Sequence, residues 1–340
     1  MTEYQTRLMQ ADDPAAIELA ARLLRAGEVV AIPTETVYGL AADATNPDAV
    51  RRVFEVKGRP QDNPLIVHIS DLSMWRPLVQ ALPEAALRLA EAFWPGPLTI
   101  ILKKSDVIPA TTTAGLGSVA VRMPSHPGAR AVIAAAGVAL AAPSANLSGF
   151  PSTTTAQHCV SDLWGKIPLI LDGGACPVGI ESTVISLDGP PMLLRPGAIT
   201  PEQLSEALGV PVAVSHAVSE PLAEGEHPSS PGMKYRHYAP KAHVVLVEGS
   251  REGFLRLLEA SPEGTFGLVF AGDETGTGRP CVVYGTAHDA ASQARGLFSA
   301  LRELDARGAS LVYARCPDHA AALGVYNRML RAAAFEVKQV

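Results

Sequence analysis

Short β-rich apolar runs alternate with helix-periodic segments along most of this 340-residue chain, and that alternation limits its fold more than any other feature. Val29-Val30-Ala31-Ile32, Leu65 to Ile69, Leu98 to Leu102, Ser118 to Arg122, Val138 to Ala142, Ile167 to Leu171 and Ser182 to Ser186 read as strands. A helix from Ala15 to Arg25 is opened by Asp12-Asp13-Pro14 and closed by Gly27. Helices are also expected from Pro47 to Val56 and from Pro83 to Phe93, where Trp94-Pro95-Gly96-Pro97 must stop the pattern. Residues 198–209 carry one more helical pattern. The economical fold for this part is an open α/β domain.

The alternation breaks between residues 219 and 232. Pro221, Pro228 and Pro231 stand among Gly225, Ser229, Ser230 and Gly232 with few apolar residues between them, which is linker composition. Its end, Pro231-Gly232-Met233-Lys234-Tyr235-Arg236-His237-Tyr238-Ala239-Pro240, gathers cations and aromatics and is unlike an idle spacer. From His243 the pattern restarts with strands at 244–247, 266–270, 281–284 and 310–314. Helices are expected near 253–259, over 287–307 with an Ala290, Ala294, Leu297, Leu301, Leu304 stripe, and over 319–334. The expected division is a first domain over 1–212, a linker over 213–241, and a small α/β domain over 242–340.

Composition narrows the function. Lys and Arg total 28 against 34 Asp and Glu, a formal charge of -6, which argues against broad nonspecific nucleic-acid binding but not against a small basic pocket. Cys159, Cys176, Cys281 and Cys316 show no paired C-x-x-C spacing, so neither a zinc site nor a disulfide framework is signalled and no metal ligands are assigned. Met1-Thr2-Glu3-Tyr4-Gln5-Thr6 has no signal-peptide pattern, and no run is long and apolar enough to span a membrane. A soluble cytoplasmic protein is expected.

Polar residues cluster after the strands. Thr34, Thr36 and Tyr38 share a face if their segment is extended, with Glu35 pointing oppositely; they either line a ligand or cap and pack. Lys57-Gly58-Arg59-Pro60 pairs a compact charge with a planar fork, suited to phosphate or carboxylate, or is a solvated basic turn. Lys57 and Arg59 are expected to be pocket charges whose removal leaves folding largely intact. Asn63 suits a polar ligand edge and His68 a carboxylate or hydroxyl, or His68 is structural. Ser118 and Arg122 share a strand face. Ser144-Ala145-Asn146, Ser148-Gly149 and Ser152 follow a small-residue strand, and Gly179-Ile180-Glu181-Ser182-Thr183 and Arg195 add hydroxyls and a cation, or serve turns and surface pairs. Neither Gly-x-Gly-x-x-Gly nor Walker A is present.

In order, Thr34-Glu35-Thr36-Val37-Tyr38-Gly39-Leu40, Lys57-Gly58-Arg59-Pro60, Asn63-Pro64-Leu65, Ser144-Ala145-Asn146-Leu147-Ser148-Gly149 and Glu181-Ser182-Thr183-Val184 closely resemble the motifs of the threonylcarbamoyl-AMP synthase family in its two-domain form. The resemblance covers nearly the full chain. It implies a YrdC-like open twisted mixed sheet with helices, and a smaller Rossmann-like C-terminal α/β domain. It also implies an enzyme that makes L-threonylcarbamoyladenylate and pyrophosphate from L-threonine, bicarbonate or CO2, and ATP with Mg2+. By the same resemblance Thr36, His68, Arg122, the Ala142 backbone and Ser182 surround threonine. Lys57, Arg59, Asn63, Ser118, Ser144, Ser152 and Arg195 surround ATP, with Tyr235 reaching back from the linker. Lys57 and Arg59 stabilise phosphate charge while a threonine carbamate attacks the α-phosphorus. The product is passed to a transferase that modifies tRNA adenosine 37, without stable tRNA binding by this chain. A noncatalytic RNA-binding or nucleotide-sensing module is the competing expectation, as is an adenylating or carbamoylating enzyme for another substrate. The C-terminal domain either controls linker closure or is a stabilising appendage.

Overall fold

The computed structural model describes residues 4–220 and 238–340. The expected contact of Tyr235 and most of the expected linker therefore lie outside the described residues.

Eleven strands form the first sheet: β1 (Arg7–Gln10), β2 (Val30–Ile32), β3 (Gly39–Asp43), β4 (Ile66–His68), β5 (Leu98–Lys103), β6 (Ser118–Arg122), β7 (Leu140–Ala141), β8 (Leu169–Asp172), β9 (Thr183–Ser186), β10 (Met192–Arg195) and β11 (Ala213–Val214). Their spatial order is β1-β8-β2-β3-β7-β4-β6-β5-β9-β10-β11, with parallel and antiparallel pairs mixed. β11 pairs with β10, so this sheet takes in the first residues expected to be linker.

Local chemistry places the elements. Asp13 accepts the Ala15 N–H ahead of helix Pro14–Arg25, and Asn46 accepts the Asp48 and Ala49 N–H groups ahead of helix Pro47–Lys57. Gly58 ends the second helix in the left-handed region at φ 61°, where a residue without Cβ turns the chain most easily. Lys57 falls on the buried side of that helix with Val50, Val53 and Phe54, at the spacing of one helical face. Apolar residues from Tyr38, Val53, Phe54, Trp75, Leu89, Ile100 and Val121 join one core behind the sheet. On the other face helices Pro14–Arg25 and Pro127–Ala136 cover β2, β3, β7 and β8 through Val30, Ile32, Ala41, Leu140, Leu169 and Leu171, whereas the neighbouring strands carry only the small cluster Ile66, Ile101, Ala120, Val184 and Leu194. A thin apolar floor of that kind leaves room above it for a ligand.

A second sheet holds five parallel strands, β12 (His243–Glu248), β13 (Thr265–Phe270), β14 (Cys281–Gly285), β15 (Leu311–Arg315) and β16 (Val337–Gln339), in the order β14-β13-β15-β12-β16. Helices Arg251–Glu259, Ala290–Ala306 and Leu323–Ala332 connect it. Its core also takes in Val37 and Ile180 from the first domain, so the apolar contact between domains is continuous. Gly179, at φ 83°, shows how close that contact is: an added Cβ would lie 2.4 Å from Arg295 Cα. Among the described residues no helix is long and apolar enough to cross a membrane, and all four cysteines are free thiols.

Candidate active site

Ile66 and His68 on β4 pair with Ala120 and Arg122 on β6, so His68 and Arg122 stand side by side on the sheet face that carries the thin floor. Above them lies a cavity of about 600 Å³, counting its open mouth. Its walls come from Thr34, Thr36, Arg59, Ala142, Ser144, Glu181, Ser182, Arg195 and Tyr238. Segments far apart in sequence thus converge, and their side chains are fixed by one another.

The turn after β2 is bent rather than extended. Thr34 Oγ1 accepts the N–H groups of Thr36 and Val37 at 3.2 and 3.3 Å, which folds the chain back. Glu35 consequently does not point away. Its Oε1 lies 2.8 Å from Arg122 Nη2, off the line of the N–H bond, as a close ion pair buried on both sides. Arg122 Nη1 donates to Thr36 Oγ1 at 2.8 Å. Burial raises the Glu35 carboxyl, but the adjacent Arg122 charge outweighs it and holds the group below its ordinary value. Tyr38 leaves the cavity: its hydroxyl donates to Gly174 O at 2.7 Å and accepts from Gly173 N at 3.1 Å, which makes it a packing residue.

His68 is buried, and desolvation followed by the charge of Arg122 pushes its pKa down to about 3. It is neutral at pH 7. Nδ1 lies 3.2 Å from the carbonyl oxygen of Ile66, which keeps the ring proton on Nδ1 and leaves Nε2 an acceptor.

Lys57 is placed differently from expectation. It does not line the cavity, and its buried ammonium donates to the carbonyls of Ser144 and Asn146, while Ser148 N donates to Lys57 O at 2.9 Å. Burial, and then Arg59, hold its pKa well below the ordinary lysine value. Lys57 is therefore a clamp on the loop after β7, and contrary to expectation its removal would cost stability, because two buried carbonyls would lose their donor.

Arg59 and Ser144 do line the cavity, as do all five residues expected around threonine. Asn63 and Ser152 are buried outside its lining, and Ser152 Oγ donates to Glu181 Oε1. Ser118 shares the face of Arg122, but four strand residues, about 13 Å, separate them. Arg195 bonds Ser182 twice at 3.1 Å, through its backbone oxygen and its hydroxyl, and Ser182 Oγ meets Thr99 Oγ1 at 2.7 Å. Desolvation brings Arg195 down to about 10, still charged at pH 7.

Glu181 and Tyr238 were not assigned from sequence. Glu181 Oε2 lies 2.8 Å from Nε of Arg328, a wholly buried residue of helix Leu323–Ala332 that also donates to Pro196 O at 2.7 Å. Burial raises Glu181, but the charges of Arg328 and Arg195 outweigh it and lower the pKa. On the other side Arg302, from helix Ala290–Ala306, grips both oxygens of Asp162 at 3.0 and 2.9 Å, and Asp162 accepts Leu147 N at 3.1 Å. No spacing could reveal such pairs, since Glu181 and Arg328 are 147 positions apart.

A mixed-sheet α/β protein whose ligand cavity is walled by three arginines and several hydroxyls belongs among enzymes that handle anionic small molecules. Residues 22–197 match the Sua5/YciO/YrdC family model, described as telomere recombination, and residues 199–334 match the model of the threonylcarbamoyl-AMP synthase C-terminal domain. The threonylcarbamoyl-AMP synthase of Bacillus subtilis is 46% identical over 96% of this chain and 94% of its own, and that of Pyrococcus abyssi 42% over 95% and 96%. The crystal structure of P. abyssi Sua5 complexed with L-threonine superposes with a TM-score of 0.90 at 40% identity, covering 98% of this chain and 99% of the other. The chain belongs to the threonylcarbamoyl-AMP synthase family.

Proposed function

We propose that the cavity above β4 and β6 is where this chain binds L-threonine beside ATP and joins them, through a carbamate, into L-threonylcarbamoyladenylate. The synthase activity itself follows from family membership over nearly the whole chain, and it makes the protein an ATP-using nucleotidyltransferase of tRNA threonylcarbamoyladenosine biosynthesis. The observation that carries the site assignment is the meeting of Thr36, His68, Arg122, Ala142 and Ser182 with Arg59, Ser144 and Arg195 on one cavity. The L-threonine complex of the P. abyssi protein supports the amino-acid half.

In this reading Arg122, held by Glu35 and Thr36, meets the threonine carboxylate, and His68 Nε2 accepts a hydrogen bond from its hydroxyl or amine. A pKa of about 3 makes His68 a weak proton acceptor, so its role is orientation rather than general base. The amine must lose its proton before it adds to CO2. Once formed, the carbamate oxygen attacks the α-phosphorus and pyrophosphate leaves, the new P–O bond replacing the old one. Arg59 and Arg195 lie where they can stabilise charge on the phosphate oxygens, and Lys57 acts by holding the Ser144 loop. Arg302 and Arg328 brace the two walls, so the C-terminal domain is a positioning part of the site rather than an appendage.

The described residues do not build a cage for Mg2+. Glu35 faces Arg122, and Glu181 is shared between Arg328 and Ser152, which leaves the cavity neither carboxylate for a cation. The ion accordingly belongs to the substrate as MgATP. The product would pass to a transferase acting on tRNA, and a formal charge of -6 gives this chain no general affinity for the nucleic acid itself.

Incubation with L-threonine, ATP, Mg2+ and labelled bicarbonate, followed by mass identification of the nucleotide product, tests the assignment. Wild type should yield the labelled threonine adduct. Arg122→Ala should raise KM for threonine more than for ATP, and Arg59→Ala the reverse. Binding of ATP without a labelled product would favour a nucleotide sensor, a labelled adduct of another amine would favour a different adenylating enzyme, and unchanged constants in both variants would remove the assigned roles.

A further inference from the structure

The C-terminal sheet has a ligand crevice of its own. β13 is followed by β14, its neighbour on one side, whereas the chain leaving β15 crosses to β16 on the other, so the connections part between two adjacent parallel strands. Open α/β sheets bind ligands at such a parting, outside the carboxyl ends of the strands. A crevice of about 870 Å³, counting its open mouth, lies there, lined among others by Glu248, Phe270, Arg315, Cys316 and His319.

Three metal-binding side chains meet in it. Glu248 ends β12, and Cys316 and His319 come from the turn after β15. His319 Nε2 is 3.0 Å from Glu248 Oε1, Cys316 Sγ is 3.4 Å from His319 Nε2, and Cys316 Sγ is 3.9 Å from Glu248 Oε1. Around a tetrahedral Zn2+, with bonds of about 2.0 Å to nitrogen and oxygen and about 2.3 Å to sulfur, these pairs would be about 3.3, 3.5 and 3.5 Å apart. Each ligand would need to shift by less than the width of an atom.

We propose that Glu248, Cys316 and His319 bind one thiophilic divalent cation of the Zn2+ class, with a fourth position left open toward the crevice. The donor set of thiolate, imidazole and carboxylate suits such an ion better than Mg2+ or Ca2+, which favour oxygen alone. Outer partners already orient two of the ligands. Gln339 Nε2 donates to Glu248 Oε2 at 2.6 Å, and the His319 ring stacks on Tyr326 with centroids 4.0 Å apart and planes at 26°. None of these residues lines the cavity above β4, so the site is separate from the synthase reaction. The spacing Cys316-x-x-His319 carried no signal by itself, because its third ligand lies 68 positions before Cys316.

Titration of chelator-treated full-length protein with Co2+, followed by Zn2+ competition, tests the proposal without reference to activity. One equivalent of Co2+ should give a thiolate charge-transfer band together with the visible bands of tetrahedral cobalt, and Zn2+ should displace it. Cys316→Ser should abolish the charge-transfer band, and His319→Gln, at an exposed position, should weaken Zn2+ binding by more than about tenfold. Cys281→Ser should change neither. Absence of the band, its survival in Cys316→Ser, or equal Zn2+ affinity in His319→Gln would each overturn the proposal.

Discussion

His68 ties the chemistry of the site to the stability of the fold. Its pKa is held at about 3 by burial and by Arg122, against 6.5 for the free side chain. Above pH 6.5 both folded and unfolded chains carry it neutral, so it contributes no pH dependence there. Between pH 6.5 and 3 the unfolded chain takes up a proton that the folded chain refuses, and stability falls as pH drops. From pH 7 to pH 5 the wild type should therefore lose about 2 kcal/mol more than His68→Gln, measured by urea midpoints at the two pH values. Parallel losses in the two proteins would mean that His68 is not buried in its neutral form.

At the scale of elements the loop after β7 is the telling case. Its position follows from Lys57, at the last turn of helix Pro47–Lys57, which donates to the carbonyls of Ser144 and Asn146. Lys57→Met preserves bulk but strands those acceptors, at about 1–3 kcal/mol for each unsatisfied group. The melting temperature should fall, and KM for ATP should rise more than KM for threonine; a variant with wild-type melting and wild-type constants would refute the clamp. Much of the surrounding fold was legible beforehand. Ser118 to Arg122 and the helices near 15–25, 47–56 and 83–93 follow from local periodicity and caps, which need no knowledge of partners. Strand Arg7–Gln10 was not anticipated, because its side chains stay largely exposed and show no alternation. Helix Pro127–Ala136 likewise gives little signal in the sequence, lying in an Ala-rich stretch with a weak polar face. Within the site, residue types marked Thr36, Arg122 and Ser182 as ligand-facing candidates, whereas the direction of Glu35 depended on the Thr34 hydroxyl bending the chain. Lys57 looked like a pocket charge for the same reason: its carbonyl partners lie 87 and 89 positions away.

For the whole molecule the question is what the second domain does for the first. Arg328→Met would leave Glu181 buried without its nearest cation, a change that costs about 3–5 kcal/mol in comparable buried pairs. Adding Glu181→Gln should restore part of that loss, because the stranded charge is then gone. An Arg328→Met protein as stable as wild type, or a double variant whose losses simply add, would show that the pair does not brace the wall. The account rests finally on one spatial claim, that amino acid and nucleotide share the cavity above β4 and β6. The most direct measurement is a crystal structure of this protein with L-threonine and a non-hydrolysable ATP analogue. The account predicts the threonine carboxylate at Arg122 and the triphosphate at Arg59 and Arg195, with the amine facing the α-phosphorus across a gap that a carbamate fills. Threonine and nucleotide in separate pockets, or a triphosphate remote from Arg59, would contradict it.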